Sequence, residues 1–156
     1  MTLSRLAYGF AFIVGLAVAA PGCGSSGASR SEAPTQAALA LEDIDSFLRM
    51  HKKGGKPAPK SIKDLAPMEN GFPQAYMGLQ AGAVVVYWGV DFDPTDSKTV
   101  VAYEKTAPES GGEVLMRDGS TVKMTAEEFK AAPKPAEGKL STEVDAKSAK
   151  KTASKK

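Results

Sequence analysis

The sequence contains only one cysteine and one histidine, and these scarcities exclude several kinds of site. A disulfide within the chain would need another cysteine in addition to Cys23. His51 has no second imidazole with which to share a metal, and no serine motif lies beside it for nucleophilic catalysis. A Gly-rich phosphate loop is also missing, because ESGGE at 109–113 lacks the lysine and the following helix. We therefore expect a protein that is not an enzyme and that uses no cofactor or metal.

Acidic residues are absent before Glu32, and the apolar run near the start of the chain is short. Arg5 supplies a positive charge, and LAYGFAFIVGLAVAA at 6–20 is shorter than the roughly 20 apolar residues of a membrane-spanning helix. This pattern predicts a removable export signal over residues 1–22. Two alternatives stay open: an uncleaved membrane segment, and cleavage near Ala19 that would yield a soluble secreted protein.

Cys23 directly follows this apolar run, and APGC at 20–23 resembles the lipobox of bacterial lipoproteins. In that family a small residue, here Gly22, precedes a cysteine that is lipidated and becomes the mature N-terminus. Ala20 departs from the leucine that is usual there. Residues 23–36, rich in serine and glycine, would form the flexible tether of an anchored domain. The resemblance implies a lipid anchor at Cys23 in the bacterial cell envelope. The outer membrane facing the periplasm is the expected location, and the inner membrane is the alternative.

Beyond the tether, apolar residues recur at the spacing of an amphipathic helix. The positions are Ala37, Leu41, Ile44, Leu48 and His51. Thr35 stands at the start and Gly54 follows a basic last turn, so we predict a helix from about 35 to 52 with His51 complementing its dipole. Four prolines in 56–76 predict mostly loop, with one short helical turn where Ser61 and Asp64 have capping-box spacing.

Strands are predicted after this loop. AVVVYWGV at 83–90 is apolar at successive positions and rich in β-branched and aromatic residues, which indicates a strand covered on both faces. TVVAYEK at 99–105 is expected to pair with it across DFDPTDSK. TAEEFKAA at 125–132 has capping-box spacing and predicts a short closing helix.

A hairpin is predicted in GEVLMRDGSTVKMT at 112–125, where Asp118 and Gly119 form a structural turn between two β-prone runs. A two-residue type I′ turn would place Leu115 opposite Val122 and Met116 opposite Thr121. Leu115, Val122 and Met124 would then share the apolar face. These elements together predict an α+β domain over 37–132, with a long helix packed on a small antiparallel sheet.

The stretches PAPKSIKDLAP, VVVYWGVDFD, VVAYEKTAP and GGEVLMRDGSTVKMTAEEFKAA carry a resemblance over about 37–132. They look like the globular part of pseudopilin-like proteins of type II secretion, which implies a link to secretion machinery. Pilin-like subunits assemble through a long apolar N-terminal helix with a glutamate near the processing site. This chain has neither, so the resemblance implies the shape of the domain and not a pilus subunit.

Four residues are candidates for binding. Asp91, Asp93 and Asp96 in DFDPTDSK are oxygen donors of the type that Ca²⁺ prefers, although an EF-hand would need glycine at 96 and glutamate at 102. A turn capped by aspartates is the alternative. Trp88 would serve either as an exposed aromatic surface or as part of the core.

The last segment, 133–156, has almost no large apolar residue and is predicted to be disordered. From 134 onward it holds seven lysines against three acidic residues, whereas residues 23–133 hold 12 basic and 15 acidic residues. An exported protein would not meet nucleic acid, so two alternatives stay open: a solubilising tail without a partner, or a segment that contacts an anionic envelope polymer or a lipid head group.

Two functions follow from this sequence. The first is a non-catalytic envelope lipoprotein whose small α+β domain contacts an unidentified envelope protein. The second is a lipoprotein that binds a solute or a glycan through Trp88 or the acidic loop.

Overall fold

The computed structural model describes residues 34–142, which form part of one compact unit. The predicted signal, Cys23, most of the predicted tether and the end of the predicted tail lie outside the described residues.

The described chain alternates helices and strands. In order, the elements are α1 (Gln36–Lys53), α2 (Ile62–Leu65), a 3-10 helix (Ala66–Met68), α3 (Pro73–Gln80), β1 (Val84–Trp88), β2 (Val100–Glu104), α4 (Ala107–Ser110), β3 (Gly112–Met116), β4 (Thr121–Met124), α5 (Ala126–Ala131) and β5 (Lys139–Leu140).

The long helix α1 has the expected bounds and the expected apolar face. The Thr35 side chain accepts a hydrogen bond from the backbone N–H of Ala38 at 3.0 Å, and the helix ends at Gly54 after its basic turn. Its buried residues are Ala37, Ala40, Leu41, Ile44, Phe47, Leu48 and His51. All five positions identified from periodicity are among them, so the interpretation of this helix is confirmed.

The Pro-rich segment contains more helix than expected. Its capping box is confirmed, since Ser61 caps α2 and Asp64 accepts from the Ser61 backbone N–H at 3.1 Å. The prediction of mostly loop was wrong for the end of this segment, where α3 begins. Pro73 occupies the first position of α3, a position that needs no N–H donor. Asp43 of α1 accepts from the backbone N–H groups of Gln74 and Ala75 at 2.8 and 3.3 Å. A side chain of α1 thus caps α3, a contact that no local pattern signals.

The five strands form one antiparallel sheet in the order β4-β3-β2-β1-β5. Strand β1 is buried on both faces, as expected. Val84, Val86 and Trp88 pack in a core with α1 and α3, whereas Val85 packs in a second core with α5. The fold is therefore α+β, with α1 on one face of the sheet and the short closing helix on the other. The capping box that starts this helix, formed by Thr125 and Glu128, is confirmed.

The hairpin lies where it was predicted, but its register differs by one residue. Leu115 pairs with Thr121, and Val114 pairs with Val122. The turn holds three residues, 117–119, because the N–H of Met116 donates to the Ser120 carbonyl at 2.8 Å and closes the loop, while the N–H of Gly119 donates to the Met116 carbonyl at 3.0 Å within it. Gly119 then has a φ of 87°, which is typical of a three-residue loop with a G1 bulge.

A one-residue shift exchanges the faces of a strand, so the predicted apolar face was wrong. Leu115 is buried beneath α1, whereas the side chains of Val122 and Met124 lie on the other side of the sheet. Val122 is exposed. The type I′ turn was wrong because the Asp118 carboxylate accepts from the Ser120 N–H and hydroxyl at 2.8 and 2.7 Å, which draws Ser120 to the end of a longer loop.

The predicted domain end at 132 was also wrong. Residues 139 and 140 form β5, whose Leu140 pairs with Tyr87 of β1. Ser141 is buried, and its hydroxyl accepts from the Val86 backbone N–H at 3.4 Å. Pairing satisfies the backbone groups at the open edge of β1, so even the polar segment at 139–140 joins the sheet there.

We expect Gly119→Val to lower the melting temperature of the domain. A side chain at φ 87° costs roughly 1–2 kcal/mol, and the added β-carbon would also collide with the Arg49 guanidinium and the Asp45 carboxylate. Each kcal/mol corresponds to about 4–8 °C for a domain of this size. Thermal unfolding followed by circular dichroism measures the change. Ser120→Ala is the control: it removes the exposed hydroxyl bond to Asp118 but keeps the backbone N–H bond and strains no dihedral, so it should lower the melting temperature much less than Gly119→Val. Equal effects of the two substitutions would contradict this account of the turn.

Candidate functional site

The acidic loop between β1 and β2 uses its aspartates to shape its own backbone. The Asp93 carboxylate accepts from the Thr95 backbone N–H at 3.0 Å and from the Thr95 hydroxyl at 2.8 Å. The Asp96 carboxylate accepts from the backbone N–H groups of Lys98 and Thr99, both at 3.1 Å. These are capped turns, the alternative that the sequence left open for this loop.

These hydrogen bonds favour the charged form of both carboxylates. Bonds from Thr95 hold the pKa of Asp93 below its ordinary value, and those from Thr99, followed by Lys98, do the same for the pKa of Asp96. The positive charge of Arg117 contributes in the same direction to both pKa values, although less than the hydrogen bonds.

Arg117, in the turn between β3 and β4, joins three segments of the chain. Its Nε donates to the backbone carbonyl of Asp91 at 2.9 Å. Its guanidinium also lies 3.7 Å from the Asp96 carboxylate and 3.8 Å from that of Glu137, after α5. An arginine therefore occupies the place beside these aspartates where a cation would be expected. Within residues 34–142, no group of three or more histidine, cysteine, aspartate or glutamate side chains is arranged to hold a metal ion.

Trp88 belongs to the core and not to an exposed surface. It is 2% exposed and packs in the cluster beneath α1. Its indole N–H has no hydrogen-bond partner in the described structure. The structure therefore corrects the proposal that Trp88 binds a ligand at the surface, because even-numbered residues of β1 face the long helix.

His51 is buried in the last turn of α1. Its ring lies 4.6 Å from that of Phe47, and its Nδ1 lies 3.4 Å from the Pro57 carbonyl oxygen. The imidazole thus packs between its own helix and the following loop. Among the described side chains, its Nε2 and the Trp88 indole nitrogen are the buried polar atoms without a hydrogen-bond partner.

Arg49 attaches α1 to the hairpin that contains Asp118 and Gly119. Its Nε donates to both carboxylate oxygens of Asp45 at 2.7 and 2.8 Å, and its Nη2 donates to the Asp118 carbonyl at 3.0 Å. The guanidinium carbon also lies 4.4 Å above the centre of the Phe92 ring. Sequence reasoning identified neither arginine, because all their partners except Asp45, which lies four residues before Arg49, are at least 20 positions away along the chain.

A surface groove between α2 and α3 is a further candidate among the described residues. It has a volume of about 380 Å³ and lies open to solvent. Its lining consists of Ile62, Lys63, Ala66, Tyr76, Leu79 and Gln80. Four of these residues present apolar surface, whereas Lys63 and Gln80 are exposed and polar. The groove was missed because one of its walls is α3, for which no helix was predicted; Pro73 at the start of a stretch that contains several good helix formers was the available signal.

In comparisons with known proteins, no protein-family model, no curated protein and no solved structure matches this chain. Among the helices within 34–142, none is both long enough and apolar enough to cross a membrane.

We expect Asp93→Asn with Asp96→Asn to reduce the loss of stability in acid. A carboxyl group whose pKa is lowered by folding stabilises the fold above its unfolded pKa of about 4, and this contribution is lost as the pH falls through the folded value. Asparagine retains an oxygen acceptor but does not titrate. Urea unfolding between about pH 7 and pH 2.5 should therefore show a shallower dependence on pH for the double variant.

Salt is the control in this measurement. Hydrogen bonds from nearby backbone groups act at short range, so the difference between wild type and variant should persist in about 0.5 M NaCl. Equal pH dependences for the two proteins would contradict the role given to these bonds. A difference that disappears in salt would assign it instead to the charge of Arg117.

Proposed function

We propose that this protein is a non-catalytic lipoprotein of the bacterial envelope, anchored through Cys23, whose small α+β domain contacts another protein through the groove between α2 and α3. The signal-like start and the lipobox resemblance support the anchor. The groove supports the contact, and it is the observation on which the proposal rests.

The composition of the groove is that of a small protein-binding surface. Ile62, Ala66 and Leu79 offer aliphatic surface, the Tyr76 ring adds an aromatic contact, and polar residues lie at the rim. Interfaces combine an apolar centre with a polar surround, and aromatic residues often carry much of their binding energy. Met77, on the same helix but outside the lining of the groove, is half exposed.

The openness of the groove favours a macromolecular partner over a small solute. Sites for small molecules are usually clefts that enclose most of the ligand. A groove of about 380 Å³ that is open to solvent leaves much of a small ligand in water. It can still receive one or two apolar side chains of a larger partner whose remaining contacts lie outside the groove.

The resemblance to pseudopilin-like proteins directs this proposal toward components of a secretion apparatus. A helix packed on an antiparallel sheet with a C-terminal hairpin is consistent with that resemblance. The short apolar start of the chain and its lack of acidic residues before Glu32 argue against assembly as a pilus subunit. The proposed role is therefore that of an anchored contact protein.

Binding of a solute or a glycan is the second candidate, and Tyr76 is the residue that favours it. An aromatic ring at the wall of a groove can stack on the apolar face of a sugar. The lysine and glutamine at the rim can donate hydrogen bonds to hydroxyl groups. A saturable shift in melting temperature with a defined oligosaccharide, absent in Tyr76→Ala, would support this candidate instead.

The anchor predicts how the mature protein partitions. Two or more acyl chains hold a protein stably on a bilayer, so the wild type should stay with membranes in high salt and leave only in detergent. Metabolic labelling with palmitate should mark the wild type, and Cys23→Ser should abolish the label. Deleting residues 143–156 should not change membrane retention in high salt.

The alternatives to this anchor give different results. A wild-type chain that takes up no palmitate and whose mature mass begins at Ala20 would be a soluble secreted protein. A chain that retains residues 1–22 and stays in membranes without the label would carry an uncleaved segment.

Ala66→Glu tests the groove. Ala66 is half-buried in its lining, so a longer charged side chain would fill the space and place a carboxylate against the apolar wall. Crosslinking in intact cells, followed by capture from detergent-solubilised membranes, should give partner bands with the wild type that weaken at least about tenfold with Ala66→Glu, the effect of losing about 1.4 kcal/mol of binding energy.

Ala131→Glu is the matched control. Ala131 is exposed on α5, across the sheet from α1, so this variant carries the same added charge far from the groove. It should give the same bands as the wild type. Bands that survive Ala66→Glu unchanged, in a variant with a normal melting temperature, would contradict the assignment of the groove.

A further inference from the structure

The residues that line the groove between α2 and α3 all belong to helices. They are Ile62 and Lys63 of α2, Ala66 of the 3-10 helix, and Tyr76, Leu79 and Gln80 of α3. Because none of these six belongs to a strand, the walls offer no row of free backbone N–H and C=O groups to which an extended segment could add. A partner therefore meets side chains, and its own backbone must be bonded elsewhere.

A helix is the form of partner that suits walls of this kind. It bonds its backbone groups internally, whereas an extended segment needs the edge of a sheet or water for its N–H groups. Side chains that lie three or four residues apart on one helix pack into the groove between two others. Helix α3 has eight residues and is about 12 Å long, which matches about two turns of a partner helix.

The apolar part of the groove has the same helical spacing. Ile62 and Ala66 lie four positions apart on one wall, and Tyr76 and Leu79 lie three positions apart on the other. Each of the four is half-buried, so part of its apolar surface faces solvent. Covering this surface with apolar side chains from two successive turns of a partner is favourable.

The charge of the groove is positive and unpaired. Lys63 carries the only formal charge among the six lining residues, and its ammonium forms no ion pair with any carboxylate of residues 34–142. The adjacent Asp64 is engaged elsewhere, because its carboxylate accepts from the backbone N–H groups of Lys60 and Ser61 at 2.6 and 3.1 Å. An acidic residue of a partner would therefore find a cation without a competing carboxylate in the lining.

Two neutral side chains of the lining add hydrogen-bond donors. Within the described part of the chain, neither the Tyr76 hydroxyl nor the Gln80 amide bonds to another residue. An ionised carboxylate only accepts hydrogen bonds, so it complements an ammonium, a hydroxyl and an amide together. A lysine or arginine of a partner would instead meet the like charge of Lys63.

We infer that the groove binds a short amphipathic helix of another protein, in which two apolar residues three or four positions apart enter the groove and an aspartate or glutamate beside them pairs with Lys63. This inference rests on the contact role proposed above for the groove. It adds the form and the charge of the partner segment.

Selection of peptides by the full-length chain tests the inference. The chain is immobilised in detergent and presented with a displayed library of random peptides of about 16 residues, enough for four turns of helix. The enriched peptides should contain apolar residues three or four positions apart together with aspartate or glutamate. One of them, made synthetically, should bind saturably in fluorescence anisotropy. Proline in its middle should weaken this binding at least about tenfold, because proline breaks a helix.

Reversing one charge tests the pairing with Lys63. Lys63→Glu should enrich peptides that contain lysine or arginine in place of the acidic residue, and it should weaken binding of the original peptide roughly tenfold. A glutamate in the first turn of α2 complements the helix dipole, so the melting temperature should stay close to that of the wild type.

Lys130→Glu is the matched control. Lys130 is exposed on α5, across the sheet from α1, and its substitution makes the same change in total charge. This variant should enrich the same peptides as the wild type and should bind the synthetic peptide equally well. Enrichment without acidic residues, unchanged enrichment with Lys63→Glu, binding that tolerates the proline, or no enrichment at all would overturn the inference.

The contact role of the groove is tested separately, by the crosslinks in intact cells. Crosslinks that weaken with Ala66→Glu but not with Lys63→Glu would keep the groove as a contact surface and refute an acidic partner. Peptides that bind Ala66→Glu as well as the wild type would refute the groove itself. Dimers of the wild type that disappear with Ala66→Glu would identify a second copy of this chain as the occupant and overturn the inference.

Discussion

The two-sided burial of strand β1 is the constraint on which the rest of the domain depends. Its residues Val84, Val85, Val86 and Trp88 are buried, although alternate positions point to opposite faces of the sheet. A strand of this kind is stable only when both faces and both edges are covered. Helices α1 and α3 cover one face, α5 covers part of the other, and β2 and β5 pair with the edges. Helices α1 and α3 before this strand, and β2, α5 and β5 after it, thus cover surface that would otherwise be exposed.

Two arginines then fix the loops at the hairpin end of this assembly. Arg49 holds the hairpin turn against α1, and Arg117 holds the acidic loop and Glu137 against the same turn. These contacts are partly exposed, so each ion pair contributes little by itself. Each arginine also donates a hydrogen bond to a backbone carbonyl, of Asp118 or Asp91. Because a carbonyl belongs to the main chain, these bonds fix the position of the loop itself and not only that of a side chain. The acidic loop is ordered by these contacts and by the hydrogen bonds that its own aspartates accept.

Local signals predicted local structure well in this chain. The bounds of α1, both capping boxes and the position of the hairpin depend on residues within about five positions of one another, and each was found where expected. The register of the hairpin was missed because Asp118 and Gly119 suit a two-residue and a three-residue loop alike, and the bonds from Ser120 to Asp118 in the longer loop were not foreseen. Helix α3 was missed because one of its caps is Asp43, about 30 positions earlier. Strand β5 was missed because a polar segment pairs where the apolar β1 offers an open edge.

The same difference between local signals and long-range contacts applies to the candidate sites. Asp93, Asp96 and Trp88 have residue types that suggest binding, yet the fold uses the carboxylates to cap turns and the indole to fill the core. Residue type alone cannot reveal such a use, because the partner group is known only once the chain is folded. The groove between α2 and α3 consists of ordinary residues, and only their arrangement makes it a surface for contact. A function for this domain is therefore better sought in the surfaces that packing leaves open than in its chemically distinctive side chains.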